Sequence, residues 1–385
     1  MVKENILRSG LVIVLALIFV GSGFLGVTTL NCSFGASVTI NSARSQHTST
    51  VLSNGNALLT GGDNGSCALS SAEIYNSLNN TFLPVGDMNE ARFVHTATLL
   101  NNGKVLIAGG YNKTGFLSTA ELYDPAKMKF TIINSMNVPR DNQTATLLGD
   151  GKVLIAGGDN LDDGYLSSAE IYDPLTNTFK LTNSMGVGRV YHTSTLLSDG
   201  RILVTGGIVA IGNSVGYLLS SEIYDSQTEC FIPTGDMNIC RCQHTATLLK
   251  NGKILIAGGR IGRNGLGSAE LYDPSTGAFE PTGSMNEGRY AHTAELLRNG
   301  EVLIAGGYNN GEVLSSLEIF NPLTGSFRKA GNFDIPRVFH KASLLKNGNV
   351  LITGGYYWKD KTDKQVSWVS TAEIINCGYF TQRQE

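Results

Sequence analysis

A Gly-Gly pair recurs seven times along the chain, and this repeat constrains the fold more than any other feature of the sequence. Successive pairs are 48 to 52 residues apart. A period of this length is typical of proteins in which each repeat is one small structural unit packed on its neighbours. The 385 residues therefore predict one repetitive domain rather than the two or three domains that length alone suggests. The first glycines of the pairs are Gly61, Gly109, Gly157, Gly206, Gly258, Gly306 and Gly354.

Each repeat contains four short segments with the character of β-strands. Two β-branched or aliphatic runs flank an Asn-Gly or Asp-Gly dipeptide, as around Asn102, which favours a hairpin with a type I′ turn. The Gly-Gly pair ends the second run. A third run ends at Tyr-Asp-Pro, as at residues 123–125, because proline cannot continue a β-ladder. An aromatic residue such as Phe130 marks the fourth run. Four antiparallel strands in each of seven repeats predict an all-β fold, a seven-bladed β-propeller.

The composition agrees with this fold and excludes several functions. The chain has 46 glycines, only 16% charged residues and a formal net charge of −3. High glycine and low charge argue against a coiled coil or a helical bundle. Nucleic-acid binding requires a basic face, which this charge balance does not indicate, so we expect no nucleic-acid partner.

The order of motifs within a repeat resembles that of the Kelch-repeat family. Residues 92–130, for example, contain Arg92, a His-Thr strand that starts at His95, the Gly-Gly pair and the Tyr-Asp-Pro segment. The resemblance extends from residue 34 to about residue 380, and the repeats are similar to those of the galactose oxidase central domain. It implies a seven-bladed propeller of four-stranded blades with the His-Thr strand innermost. It does not imply one function, since Kelch propellers are binding platforms and, in some cases, enzymes.

The last repeat lacks an outer strand of its own, and the N-terminal part of the chain supplies a candidate. A phenylalanine lies ten residues before the repeated arginine in copies two to seven, and Phe34 lies ten residues before Arg44. Residues 33–38 are therefore predicted as the fourth strand of blade seven, which closes the ring. Phe380, in the C-terminal tail, is the competing candidate for that strand.

Residues 1–30 have the features of a targeting segment. Lys3 and Arg8 precede an apolar stretch from Leu11 to Leu30 that is long enough to cross a bilayer. The segment is either a cleaved signal peptide or a retained signal anchor, and both alternatives stay open. In either case the propeller, residues 31–385, is expected outside the cytoplasm, secreted or attached to a membrane.

The cysteines suggest a covalent closure of the ring. Six cysteines in an exported chain permit disulfides. Aligned with the other copies, Cys32 and Cys377 face each other across the turn between strands three and four of blade seven. We therefore predict a Cys32–Cys377 disulfide that replaces the missing turn, whereas the pairing of the other four cysteines stays open.

Three residue types recur at one position per repeat, and we interpret them as framework. One position of the repeat holds histidine in six copies and glutamine in the third. Equivalent positions in a ring of blades do not converge on one metal ion. Arginines and glutamates recur seven times each, which predicts one ion pair per blade. We therefore predict no metal and no cofactor. The three sets are His47, His95, His192, His244, His292 and His340; Arg44, Arg92, Arg140, Arg189, Arg241, Arg289 and Arg337; and Glu73, Glu121, Glu170, Glu222, Glu270, Glu318 and Glu373.

Function is expected where the copies differ. On the innermost strand, Glu295 and Lys341 replace recurring threonines on adjacent blades, and an ion pair between them near the channel is predicted. The acidic loop at residues 159–163 lacks a full calcium-ligand spacing, so a solvated loop is favoured over a calcium site. The loop after the last Gly-Gly pair is long and holds both tryptophans, which suits a sugar ring or a partner surface. The alternative is that Trp358 and Trp368 only pack the long loop down. The candidate binding residues are Tyr356, Tyr357, Trp358, Lys359 and Trp368 of this loop, together with Glu295 and Lys341.

These features favour a monomeric, non-enzymatic platform that binds a protein or a glycan through its loop face. The alternative is a carbohydrate-active enzyme, epimerase-like or oxidase-like, with its site at the loop face or in the central channel. A copper oxidase of the galactose oxidase type would need two histidines, tyrosines and a cysteine at one copper ion, whereas every histidine here belongs to the repeat. An epimerase-like site would use Glu295, Lys341 and arginines of the loop face.

Overall fold

Seven four-stranded antiparallel sheets form the blades of one propeller. The computed structural model describes residues 32–35, 37–212, 214–359 and 365–376. In blades one to six the strands are ordered from innermost to outermost along the chain, whereas the outermost strand of blade seven comes from the N-terminal part of the chain. The innermost strands contact one another from blade to blade, and blade seven contacts blade one in the same way. The predicted all-β, seven-bladed fold is therefore confirmed.

The blades are numbered in the order of the repeats. Blade one consists of Thr48–Val51, Ala57–Thr60, Ala72–Asn76 and Thr81–Pro84; blade two of Thr96–Leu99, Val105–Ala108, Ala120–Asp124 and Lys129–Ile132; blade three of Thr144–Leu147, Val153–Ala156, Ala169–Asp173 and Thr178–Leu181; and blade four of Thr193–Leu196, Ile202–Thr205, Ser221–Asp225 and Cys230–Pro233. Blade five consists of Thr245–Leu248, Ile254–Ala257, Ala269–Asp273 and Ala278–Pro281; blade six of Thr293–Leu296, Val302–Ala305, Ser316–Asn321 and Ser326–Asn332; and blade seven of Lys341–Leu344, Asn349–Thr353 and Thr371–Asn376, with Ser33–Phe34 and Val38–Thr39 outermost.

Short hairpins extend blades two to seven at the end where the Gly-Gly pairs lie, which we call the loop face. They are Tyr111–Asn112 with Gly115–Phe116, Asp159–Asn160 with Gly164–Tyr165, Ile208–Ile211 with Ser214–Tyr217, Arg260–Ile261 with Asn264–Gly265, Tyr308–Asn309 with Glu312–Val313, and Tyr356–Trp358 with Val366–Trp368.

The blades pack face to face, and this packing buries the second strand of every blade. In blade two every residue of Val105–Ala108 is buried, since both faces of the sheet are covered. Between blades two and three, Leu106 packs in one cluster with Met136 and Tyr172. The repeated tyrosines therefore pack between blades. Coverage on both faces is also why these strands read as continuous aliphatic runs rather than alternating ones.

The hairpin turn differs from the predicted type I′ turn. Gly103 has a φ of 80°, whereas Asn102 does not have a positive φ, and the type I′ turn requires one at both positions. The amide of Gly103 donates to the carbonyl of Leu100 at 2.9 Å, and the side chain of Asn102 accepts from the amide of Lys104 at 3.0 Å. The turn is thus the longer hairpin loop in which glycine takes the left-handed bulge position. The prediction failed because Asn-Gly suits both turns.

The Gly-Gly pair is required where one blade meets the next. Gly109 has a φ of 65°, and a Cβ there would lie 2.6 Å from the carbonyl oxygen of Arg140 in the next repeat. Gly110 has a φ of 100°, and its amide donates to the same carbonyl at 2.9 Å. Both the left-handed conformation and the close approach exclude other residues. The repeat therefore keeps two glycines because the contact between blades depends on them.

The N-terminal strand closes the ring as predicted. Phe34 pairs with Ile375, and Val38 pairs with Ala372, so both segments lie against the third strand of blade seven. The competing candidate Phe380 lies outside the described residues, as does Cys377 of the predicted disulfide. The predicted targeting segment, residues 1–30, lies outside them as well. In the part of the chain that the structure describes, no helix is long and apolar enough to span a membrane.

Candidate functional site

Seven buried ion pairs hold the crossovers between blades. The Arg140 guanidinium lies 3.2 Å from the Glu170 carboxylate and donates to the Gly157 carbonyl at 2.9 Å. The other oxygen of Glu170 accepts from the amide of Asn137 at 2.8 Å. The predicted pair per blade is therefore confirmed, and these charges serve the framework. The other pairs are Arg44–Glu73, Arg92–Glu121, Arg189–Glu222, Arg241–Glu270, Arg289–Glu318 and Arg337–Glu373.

The histidines link adjacent blades by hydrogen bonds. The Nε2 atom of His192 lies 3.1 Å from the hydroxyl of Thr144 in the preceding blade, and His244 lies 3.0 Å from Thr193 in the same way. Gln143 fills the equivalent position in blade three, and its amide donates to the carbonyl of Ala108 at 2.9 Å. Burial lowers the pKa of His192 to about 3, so its ring is neutral at physiological pH. These contacts match the framework interpretation, and no group of three or more potential ligands lies together among the described residues.

Glu295 and Lys341 line the central channel but do not form the predicted ion pair. In the described chain, no carboxylate oxygen lies within 4.0 Å of the Lys341 ammonium, the limit that defines a salt bridge. Lys341 directly follows the histidine position, whereas Glu295 comes three residues after it and therefore lies deeper. A difference of two residues along a strand places Glu295 roughly 6–7 Å further along the channel than Lys341. Burial raises the pKa of Glu295 to about 7, and its carboxylate accepts from the amide of Leu344 at 3.3 Å.

A ring of seven residues, which we call the mouth ring, surrounds the loop-face end of the channel. Each directly precedes the histidine position and has a φ between 48° and 56°, which costs a residue with a Cβ about 1–3 kcal/mol. The amide of Val94 donates to the carbonyl of Gln46 at 3.1 Å, and that of Gln243 donates to the carbonyl of Tyr191 at 3.0 Å. Such bonds between neighbouring blades hold the ring in this conformation. The mouth ring consists of Gln46, Val94, Asn142, Tyr191, Gln243, Ala291 and Phe339.

Sequence reasoning missed the mouth ring, although a signal for it exists. Its members differ in size and polarity, yet each occupies one fixed position beside a nearly constant histidine. A variable position inside a constant motif is a candidate for ligand contact. The sequence could not show that all seven positions converge, because that follows from closure of the ring.

The predicted aromatic loop divides into two parts with different roles. The indole nitrogen of Trp368 donates to Asp63 of blade one at 3.3 Å, and its ring lies against Gly65. Trp368 therefore packs the loop onto the neighbouring blade. Trp358 turns the other way, towards blade six, where its ring centroid lies 5.1 Å from that of Tyr308. Lys359 is exposed, and the rest of the loop, residues 360–364, lies outside the described residues.

An aromatic cleft lies on the loop face between blades five, six and seven. The ring centroids of Tyr290 and Tyr308 lie 5.2 Å apart, and Trp358 continues the series. The guanidinium carbon of Arg260 lies over the ring of Tyr290, 5.3 Å from its centroid, in a cation–π contact. The cleft has a volume of about 720 Å³. It is lined by Arg263, Asn264, Tyr290, Tyr308, Asn310, Gly311 and Trp358.

The acidic loop of blade three has a structural arrangement of its own. The Asn160 side chain donates to the carbonyl of Pro139 at 3.0 Å and accepts from the amide of Asp163 at 2.7 Å, which fixes the loop. Asp159 pairs with Asp141 across a β-bridge. Burial and the hydrogen bond with Asp159 raise the pKa of Asp141 to about 8. The Asp141 carboxyl therefore keeps its proton near neutral pH.

These features define a seven-bladed propeller of the Kelch type whose variable positions gather at the loop face. The chain belongs to the Attractin/LZTR1 β-propeller family, whose model matches residues 69–317, and the Kelch motif model matches residues 44–89. Among solved structures, the chain is similar to a fungal alcohol oxidase of the AA5 family in complex with copper. The TM-score is 0.71, with 16% identity over 90% of this chain and 76% of that one, a likeness that shows the fold alone. No curated protein matches the chain significantly.

Proposed function

We propose that this propeller is an exported or membrane-anchored, non-enzymatic platform that binds a glycan in the aromatic cleft. The observation that carries the proposal is the series of rings formed by Tyr290, Tyr308 and Trp358 beside a cleft of about 720 Å³. Cavities that bind small molecules span roughly 300–1,000 Å³, so the cleft can accept one or two sugar rings.

The residues of the cleft match the two kinds of surface that a sugar presents. The aromatic rings offer flat apolar faces for the C–H side of a pyranose. The amides of Asn264 and Asn310 can donate to and accept from its hydroxyl groups. Burial raises the pKa of Tyr290 to about 12, so its hydroxyl remains a hydrogen-bond donor at neutral pH.

The aromatic rings are fixed before any ligand arrives. The ring of Tyr308 contacts those of both Tyr290 and Trp358. The ring centroid of Trp358 also lies 5.8 Å from that of Tyr356 in its own hairpin. A preformed surface loses less conformational entropy on binding than a mobile one. This favours recognition by stacking.

The charges of the propeller favour binding over catalysis. Glycosidases of the common type need two carboxyl groups beside the scissile bond. Within the described residues, the lining of the cleft contains no carboxylate. The recurring arginines, glutamates and histidines are already engaged in holding the blades together.

Export is inferred from the N-terminal segment. Lys3 and Arg8 precede the apolar stretch from Leu11 to Leu30, the order found in signal peptides and signal anchors. A location outside the cytoplasm would bring the loop face into contact with extracellular glycans.

The experiment uses tryptophan fluorescence. The chain has two tryptophans, so the Trp368→Phe variant retains Trp358 as its single reporter. The protein is screened on an array of neutral and acidic oligosaccharides, and the best hit is titrated into this variant. We expect a saturable change in Trp358 emission, and we expect Trp358→Ala to weaken binding at least tenfold.

Tyr111 provides a matched control, since it occupies in blade two the position of Tyr308 and also contacts two aromatic rings. Tyr308→Ala should weaken binding, whereas Tyr111→Ala should not. Equal loss in both variants, or an array without any hit, would overturn the glycan proposal. Conversion of the bound sugar to a new product would show an enzyme instead.

A further inference from the structure

We propose that the central channel binds a small anion, an oxyanion group such as a carboxylate or phosphate, at Lys341. The anion would enter through the mouth ring. This inference goes beyond the proposed function, because the channel site and the aromatic cleft share no lining residue. Either site can therefore be disproved without affecting the other.

Lys341 breaks a rule that the other six repeats obey. In those repeats the residue after the histidine position is threonine. The hydroxyl of Thr293, for example, lies 3.0 Å from the Nε2 atom of His340 in the next blade. Where this threonine is replaced by Lys341, His47 instead bonds to the hydroxyl of Thr353 at 2.9 Å. The framework therefore has its usual hydrogen bond without Lys341, and the ammonium group is left for another role.

The charge of Lys341 has no counter-charge in the described part of the protein. The nearest candidate by position, Glu295, lies deeper in the channel and forms no ion pair with it. The neighbouring imidazoles of His47, His95 and His340 are neutral, because burial lowers their pKa well below the ordinary value. Burial also lowers the pKa of Lys341 itself. An enclosed cation without a partner is unfavourable, and an anion would relieve that cost.

The cavity in front of Lys341 has the size and lining for such a ligand. It has a volume of about 270 Å³ and opens between the residues of the mouth ring. The amides of Gln46, Asn142 and Gln243 and the hydroxyl of Tyr191 supply hydrogen-bond donors at the entrance. With the imidazoles neutral, Lys341 is the one charged side chain that lines this cavity in the described chain. The field in the cavity is therefore positive.

The test compares the full-length protein with two lysine variants. Lys341→Thr introduces the residue that the other six repeats use, so the fold should be kept. Lys113→Thr, the control, removes an exposed lysine of the loop face that lines neither the channel nor the aromatic cleft. Inorganic phosphate and acetate are titrated separately at constant ionic strength, with chloride as the reference. Calorimetry and the midpoint of thermal unfolding report binding.

We expect saturable binding and a rise in the unfolding midpoint for the wild type and for Lys113→Thr. In Lys341→Thr the affinity should fall at least tenfold. Without added anion, Lys341→Thr should unfold at a higher temperature than the wild type, because an unpaired charge has been removed. The same saturable response in Lys341→Thr as in the wild type, or no saturable response in the wild type to either anion, would overturn the proposal. A response to acetate alone or to phosphate alone would support it and identify the oxyanion.

Discussion

Asp141 and Asp159 lie directly opposite each other on the loop face and exchange backbone hydrogen bonds of 3.2 and 3.1 Å. Asp141 comes directly before the mouth-ring residue Asn142, whose side chain donates to the Asp141 carboxyl at 2.9 Å. One oxygen of Asp159 is buried and has no hydrogen-bond partner. Two like charges at opposite positions repel each other, so ionisation of Asp141 destabilises the fold at this bridge.

The first prediction concerns the pH dependence of this pair. The folded-state pKa of Asp141 is raised to about 8, well above the ordinary value of about 3.9 for an aspartate. Its stabilising contribution is therefore complete below pH ~4 and is lost as the pH rises towards 8. At pH 9, Asp141→Asn should be more stable than the wild type by at least about 1.4 kcal/mol, the free energy of one pKa unit. Urea unfolding at pH 4.5 and 9 measures this difference, with the exposed Asp162→Asn as control. A stability gain that is equal at both pH values would contradict the raised pKa of Asp141.

The second prediction concerns acid unfolding. His192 has a pKa lowered to about 3, so the unfolded chain binds a proton between pH 6.5 and 3 that the folded chain does not. Stability is therefore lost as the pH falls through this window. His192→Gln introduces the residue that Gln143 already provides in blade three. The variant should fold, and its unfolding free energy should change less steeply with pH than that of the wild type, by up to about 1.4 kcal/mol per pH unit. An unchanged slope in urea titrations from pH 7 to 4.5 would disprove the assignment of a neutral ring.

The third prediction separates buried from exposed ion pairs. Glu170→Gln leaves the buried Arg140 guanidinium without its counter-charge, which should cost about 3–5 kcal/mol of unfolding free energy. The control is Lys180→Ala, which removes an exposed pair with Glu229 at 3.3 Å and should cost less than about 1 kcal/mol. Chemical denaturation of both variants at pH 7 gives the comparison. Similar costs for the two would mean that the repeated pairs do not carry the framework.

The fourth prediction is the Cys32–Cys377 disulfide. Ser33 pairs with Asn376 in the described structure, and these two residues are the sequence neighbours of the two cysteines. In the chain-entropy model, closing so long a loop would contribute roughly 4–5 kcal/mol. Peptide mapping of exported protein without reduction should identify the linked peptides. Free thiols at both positions, or cleavage of the chain after Cys32, would refute the disulfide.

The framework could be read from the sequence because each of its parts is repeated. The strand positions, the Arg140–Glu170 type of pair and the closing strand at Phe34 all follow from motifs that recur in the same order along the chain. Seven copies of one pattern make chance agreement negligible, and each contact joins residues at equivalent positions of the repeat. The turn around Asn102 was assigned to the wrong type, because its dipeptide is compatible with two backbone conformations.

The candidate sites could be read only in part. Trp358, Lys341 and Glu295 stand out as departures from the repeat, but their partners do not follow from it. Trp368 is also a tryptophan of the same loop as Trp358, but its role is structural. That role depends on the contact of Trp368 with blade one, which the sequence does not reveal.

By itself, the sequence determined the number of blades, the order of their strands and the way in which the ring closes. Those properties depend on local patterns and on a period, both of which are visible along a single chain. Only the tertiary structure decided which variable residues meet. The mouth ring, the aromatic cleft across blades five to seven and the isolation of Lys341 arise from contacts between blades. Such contacts depend on distances in space between positions many residues apart, and no spacing along the chain encodes them.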